Sequence, residues 1–377
     1  MIYFFLLFLI IFLVFVFDVG KRSRSNVKQK KIAWNVICVL LIIISAIKYR
    51  VGSDVVIYTD EYKEILPITR ANWDYIFGNF NRQFGWMILV TICKSITPSF
   101  LLPQIIISIF VNSAIFNFIK SNTEKPFVGL LLFYLIAYAP YNFEVLRQSI
   151  AIAFFIMGIK YYKDSKWFKY YLCVLGGFAF HSSAVVLALI PLFKFVPITK
   201  ASIIWELGIG VVGIILLPFF INYIPNLINS NEALFGAQVY YANKSSYEVT
   251  EISYFGNVML FFINYVITLF LCKEKNQWYR PFVMFYLYFN IINLAFPILY
   301  RFSYYFLIFY ILGLCKTITF CKFEKHLIPI LIILFVMFNT YRRYNVDWLG
   351  IPAYRQYYPY HTYFDPVEDG EREIRCF

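Results

Sequence analysis

Charge is scarce in this chain, and the scarcity is organised. Asp, Glu, Lys and Arg make up 15% of the residues, against about 25% in an ordinary soluble domain. Long stretches carry none at all. Histidine occurs three times, as His181, His326 and His361. The seven cysteines (Cys38, Cys93, Cys173, Cys272, Cys315, Cys321 and Cys376) show neither metal-ligand nor disulfide spacing. Most fall in apolar runs and read as small hydrophobes. There is no internal repeat and no low-complexity linker. Alternating ten-residue segments are missing too, which excludes a membrane β-barrel.

What is present is apolar surface: 61% hydrophobic residues, 22% aromatic residues and a mean hydropathy of +0.66. It is arranged in runs of roughly 17–25 residues, the length of a helix that crosses a hydrocarbon core. The sequence therefore predicts an all-α polytopic membrane protein forming a single membrane domain over residues 1–377. The spans are expected near 2–17, 32–49, 103–119, 127–140, 148–161, 201–223, 252–272, 281–298, 300–319 and 326–341. The first run, MIYFFLLFLIIFLVFVF, has no basic leader and no small-residue cleavage site, so it reads as a membrane helix rather than a cleaved signal. The net charge of +13 does not signal nucleic acid, because the cations sit mainly in short loops, where they set orientation.

The loop from Lys21 to Lys31 is strongly basic, which makes it cytoplasmic. Parity then puts residues 50–100 outside as a loop containing an amphipathic helix, Phe84 to Ile96, on the outer surface. The tail, residues 342–377, is also outside. The lysines at 160–169 and those at 194–200 both belong inside. The chain between them is too short for two spans, so a re-entrant pair of half-helices turning near His181 is expected. Irregular backbone at that depth is tolerated only inside protein or along a wet cavity. Glu206 reads as a carboxylate in the first turn of its helix, near the inner interface.

Four outer turns carry polar chemistry. The first holds Arg50, Asp54 and Tyr58, spaced four residues apart and so on one helix face, with Gly52 between the first two. That pattern is either a surface ion pair at a helix end or an anion-binding arginine oriented by a carboxylate. The second holds Glu144, Arg147 and Gln148 at the start of a span. An arginine at membrane depth costs roughly 2.5–3.5 kcal/mol on insertion scales and usually faces a cavity or a partner; snorkelling to the headgroups is the alternative. The third is His181, in GGFAFHSSAV, either a satisfied structural histidine or a general base. The fourth is Arg301 followed by Tyr304. Forked arginine donors suit phosphate and pyrophosphate. No metal-ligand cluster accompanies them, and no cofactor is expected.

At these residues the chain resembles the EpsG family of bacterial polysaccharide polymerases, a Wzy-type group. The resemblance runs through Arg50, Gly52, Asp54 and Tyr58; Arg147, Gln148 and Ala151; Phe180, His181, Ser183 and Ala184; Arg301, Tyr304, Tyr305 and Phe306; and Tyr357 to Tyr360. One departure stands out: family members often carry a Glu where this chain has Gln83, ahead of Gly85 and Trp86. The resemblance implies a GT-C-like fold and a plasma-membrane glycosyltransferase with its site on the periplasmic or extracellular face. It would polymerise undecaprenyl-pyrophosphate-linked oligosaccharides for O-antigen, capsule or exopolysaccharide, alongside a flippase and a chain-length regulator. His181 or Asp54 would be the base, Arg50, Arg147 and Arg301 would hold pyrophosphate, and Tyr58, Gln148 and Tyr304 would support them. The rivals are a flippase or transporter of the same lipid-linked sugars, a ligase on the same carrier, an acyltransferase, and a plain membrane scaffold.

Overall fold

A computed structural model describes residues 2–19, 27–78, 82–196, 204–216, 251–270, 278–293, 299–321, 327–345, 347–348, 351–370 and 372–373. Where the sequence predicts one domain, the chain packs as two compact units: Met1–Ala188 with Ile330–Phe377, and Leu189–Pro329. Among the described residues the regular elements are helices apart from one short hairpin, Asp347–Trp348 with Ile351–Pro352. Five helices among the described residues are long and apolar enough to cross a membrane: Ile2–Val19, Val27–Ala46, Leu101–Asn122, Pro126–Glu144 and Tyr300–Phe320. A bilayer leaves a backbone no water to bond, so such runs must satisfy their amides internally, as helices do.

The first unit is built from α1 (Ile2–Val19), α2 (Val27–Ala46), α3 (Ser53–Glu64), α4 (Trp73–Phe77), α5 (Phe84–Ile96), α6 (Leu101–Asn122), α7 (Pro126–Glu144), α8 (Leu146–Lys163) and α9 (Trp167–Phe178). It also takes in most of the helix Ile328–Tyr344 and the tail. On α1, Phe4, Phe8, Phe12 and Phe15 recur at helical spacing and stay exposed, while Leu6, Ile10 and Val14 are buried. That is the division expected of a helix with one face to lipid. Deep between α2, α6 and α7, Asn112 donates to Ser45 Oγ (3.2 Å) and Asn142 Oδ1 (2.7 Å), and Asn142 returns a bond at 3.2 Å. An amide pair of this kind satisfies its own polar atoms and fixes the register of three helices.

The polar contacts separate the two ends of this unit. At one end Asp18 takes Lys30 at 2.9 Å and caps the amide of Val128 at 3.0 Å, while Lys163 reaches Asn122 at 2.9 Å. These are the loops that charge assigns to the inside. At the other end Gln104 caps the carbonyls of Ala46 and Lys48 (2.8 and 2.7 Å) as α2 stops. Helix α5 spans the predicted Phe84–Ile96 and packs at this end: Lys94 donates to the carbonyl of Tyr62 (2.7 Å), and Gly85 to that of Ala179 (2.8 Å).

Helix α9 and the 3-10 helix Ser182–Phe195 meet at residues 179–181. The first part of the 3-10 helix folds back on α9, where the hydroxyls of Tyr170 and Tyr171 donate to the carbonyls of Leu187 (2.6 Å) and Ala188 (3.3 Å). Twelve residues of α9 rise only about 18 Å, short of the roughly 30 Å of a hydrocarbon core. The chain turns back near His181, where the sequence places a turn.

In the second unit, Glu206 lies in the first turn of Ile204–Leu216. It pairs with the buried Arg280 at the start of Arg280–Ile292 (Nε 3.0 Å, a terminal nitrogen 2.6 Å), and Tyr288 donates to its carbonyl at 2.6 Å. Both helices therefore begin at one end of this unit. Its interior is aromatic, with Phe282 stacked on Phe309 at 4.3 Å and Phe289 on Phe306 at 5.8 Å.

Candidate anion-binding site

The site in the first unit starts from a glycine. Gly52 has φ +91°, and a Cβ there would sit 2.3 Å from the carbonyl oxygen of Phe143. Only glycine lets the start of α3 lie flat on the end of α7. That contact places Asp54 so that Oδ2 accepts the amide of Leu146 at 2.9 Å. A carboxylate on the first amide of a helix satisfies an orphan donor and favours the positive end of the dipole. Asp54 thus holds the helix that carries Arg147.

Arg147 is half-buried. Its Nε donates to Tyr58 Oη at 2.7 Å and a terminal nitrogen donates to Gln83 Oε1 at 2.8 Å. The sequence offers Glu144 as its partner, but Glu144 lies 3.4 Å from Arg343. Among the described residues both hydrogen-bond partners of Arg147 are therefore neutral: the guanidinium is aimed and keeps its full charge. Tyr58 is buried against Trp86, ring centroids 4.7 Å apart. Burial first, then the charge of Asp54, push its phenol well above the ordinary value, and Arg147 opposes them only in part. It stays protonated at neutral pH and accepts from Arg147.

A second guanidinium, Arg82, was not singled out from the sequence. Arg82 and Arg147 both place their guanidinium carbon 5.6 Å from the Tyr58 ring centroid. Arg82 also pairs with Glu61 through Nε (3.0 Å) and a terminal nitrogen. The sequence signal for it is adjacency to Gln83, where family members often carry a Glu. The amide at 83 turns out to be an acceptor for Arg147.

Arg50 takes a different place from the predicted one. It precedes α3, with φ +49°, so it does not share the helix face of Asp54 and Tyr58. Its side chain is 5% exposed; it donates to Glu373 Oε1 through Nε (2.9 Å) and a terminal nitrogen (2.7 Å), and to Asp60 at 2.7 Å. Arg372 in turn donates to the carbonyl of Arg50 at 2.8 Å. Backbone bonds from Tyr49 to His361, Gly52 to Gln356 and Tyr363 to Ile47 complete a seam that ties the tail to the end of α2.

The bond from Arg50, aided by Lys63, holds the Asp60 carboxyl below the usual range even though burial raises it. A depressed carboxylate stabilises above its unfolded value, about pH 3.9, and loses that contribution as pH falls through its folded value. Amide exchange at Gly52 and Tyr363, corrected for intrinsic rate, should stay flat from pH 7 to 5 and accelerate only below about pH 4. Asp60→Asn should raise it across that range. Flat exchange through pH 3 would show that the seam does not depend on this ion pair.

His181 is 7% exposed. Its Nδ1 lies 2.6 Å from Ser183 Oγ and accepts the Ser183 amide at 3.3 Å. An amide only donates, so Nδ1 presents a lone pair and the neutral ring carries its proton on Nε2. The turn docks on the start of α5 through Gly85 and Ala179, two residues from Gln83. Gly177 lies against Ala151 in the α8–α9 hairpin. Four residues on from Gly177 and four back from Ala151, in helices that run antiparallel, bring His181 to about the level of Arg147. Gln148 is buried beside Arg147. Arg301 and Tyr304 begin Tyr300–Phe320 in the other unit, where each packs on Tyr300.

Also in the first unit is an apolar groove of about 550 Å³, lined by Tyr3, Leu7, Tyr134, Tyr138, Tyr344 and Tyr357 among others. Tyr138 and Tyr357 pack on Phe143, the residue that covers Gly52.

Helices long and apolar enough to cross a membrane define a helical membrane protein. The chain belongs to the EpsG family, whose model matches residues 31–362. Membership places it among membrane proteins of polysaccharide biosynthesis. No curated protein and no solved structure matches it.

Proposed function

We propose that this protein is a polymerase of undecaprenyl-pyrophosphate-linked oligosaccharide repeat units, a GT-C-like glycosyltransferase acting on the outer face of the plasma membrane. The observation that carries the reading is Arg147, oriented by two neutral partners and not neutralised by either. In the reaction an acceptor sugar hydroxyl on a new lipid-linked unit attacks the anomeric carbon of the growing chain. The glycosidic bond forms, the bond to phosphate breaks, and undecaprenyl pyrophosphate leaves with the electron pair. A fixed, undischarged guanidinium fork offsets the charge that develops on that leaving group. The apolar groove supplies surface for a long lipid chain in the same unit.

The acceptor proton goes to His181 Nδ1, directly or through the Ser183 hydroxyl at 2.6 Å. Asp54 acts through Arg147 as a positioning residue. Arg50 supports the site by clamping the tail rather than by touching substrate.

The test is a knockout strain complemented with variants. The wild-type gene should restore polymer, and the knockout should display single units on the outer face. A flippase would instead leave units inside, which would defeat the reading. A positioned base is worth about 10²–10⁴-fold, so His181→Ala should cut polymer yield at least 100-fold and Ser183→Ala less. Unchanged yield and chain length in His181→Ala would remove it from the mechanism.

A further inference from the structure

We propose that Arg82 is a second phosphate-binding guanidinium at this site, and that Glu61 is its displaceable counterion. The inference rests on the polymerase reading for its substrate, a diphosphate ester, but the anion site stands on its own geometry.

Four observations carry it. Arg82 and Arg147 approach one buried tyrosine ring at the same distance, 5.6 Å. The two are fixed together, because Gln83, which holds Arg147, is the next residue after Arg82. The carboxylate on Arg82 is reachable: the Arg82 side chain is 23% exposed and that of Glu61 37%. Arg50, by contrast, is 5% exposed with two carboxylates on it, so the arginine that the family pattern favours has no room for a phosphate.

Physical chemistry then orders the competition. An ion pair open to solvent contributes little. A phosphate brings more charge and several acceptor oxygens to two guanidinium forks, which favours bidentate bonding. Glu61 should therefore hold Arg82 in place while the site is empty and yield when a diphosphate arrives. Its carboxylate becomes a built-in competitor whose removal tightens binding. The effect exists only while Arg82 is present.

That dependence is the test. The full-length protein in discs of zwitterionic lipid is titrated with inorganic pyrophosphate. Glu61→Gln should bind about 5- to 10-fold more tightly than wild type, and Arg82→Gln at least 10-fold more weakly, with Arg82→Lys between them. In the double variant the gain from Glu61→Gln should vanish, because the two changes are coupled through one contact. Normal membrane levels and a single elution peak confirm that each variant folds.

A gain that persists without Arg82, or no gain at all, would overturn the proposal. So would a gain seen only in discs containing phosphatidylglycerol, which would make this a phospholipid headgroup contact. A gel assay with a lipid-linked repeat unit separates the two readings. If the binding cycle holds while units are never extended, the polymerase reading fails and the anion site stands. A ladder with a flat binding cycle would do the reverse.

Discussion

Arg147→Lys should insert and fold normally yet lose about 10- to 100-fold of polymerising activity. The positive charge survives this change; the fork does not. Arginine here donates through Nε to Tyr58 and through a terminal nitrogen to Gln83, so two of its donors fix its direction. A lysine ammonium on a flexible stem cannot bond both partners and present two parallel donors to a phosphate. Each hydrogen bond to a charged group is worth about 1.5–3 kcal/mol, and about 1.4 kcal/mol is tenfold in rate. Tyr58 and Gln83 would keep water or each other as partners, so stability should change little. Polymer yield per unit of membrane-inserted protein is the measure. Full activity in Arg147→Lys would mean that only net charge matters at this position.

The largest effect on folding should come from Gly52→Ala. At φ +91° and ψ 151° the backbone lies where only glycine is comfortable, and strain there costs about 1–3 kcal/mol. The new Cβ would also meet the Phe143 carbonyl at 2.3 Å and its Cβ at 2.4 Å, both on a packed helix end that cannot swing aside. Overpacking adds about 1–3 kcal/mol. Together they take a large share of a typical stability of about 5–15 kcal/mol. The variant should be recovered at a small fraction of wild-type level. What survives should also lose activity, because α3 carries both the Asp54 cap and Tyr58. Wild-type expression and unfolding midpoint in Gly52→Ala would show that α3 does not rest on α7 as described.

Much of the scaffold is legible from composition alone because a bilayer leaves so few options. Apolar runs become helices, and the chain folds back near His181, where the sequence places a turn. Helix α5 falls on the predicted Phe84–Ile96. The contacts that finish the site are different. Glu373 meets Arg50 from the far end of the chain, and no local spacing announces it. Asp54 has the right position but another job: at four residues from Arg50 it reads as an ion pair, yet the helix starts only at Ser53 and its carboxylate turns to Leu146. Arg82 is hidden for the opposite reason. Among scattered surface cations nothing marks it until folding brings Tyr58 and Glu61 beside it.

The most direct test is chemical. Purified protein in lipid discs is given a lipid-linked repeat unit and no nucleotide sugar, and the products are run on a gel. Polymerisation predicts a ladder of regularly spaced products that accumulates with undecaprenyl pyrophosphate release and collapses to single units in Arg147→Lys. Correctly folded wild-type protein that leaves the units unextended, or a ladder of equal length from the lysine variant, would contradict it.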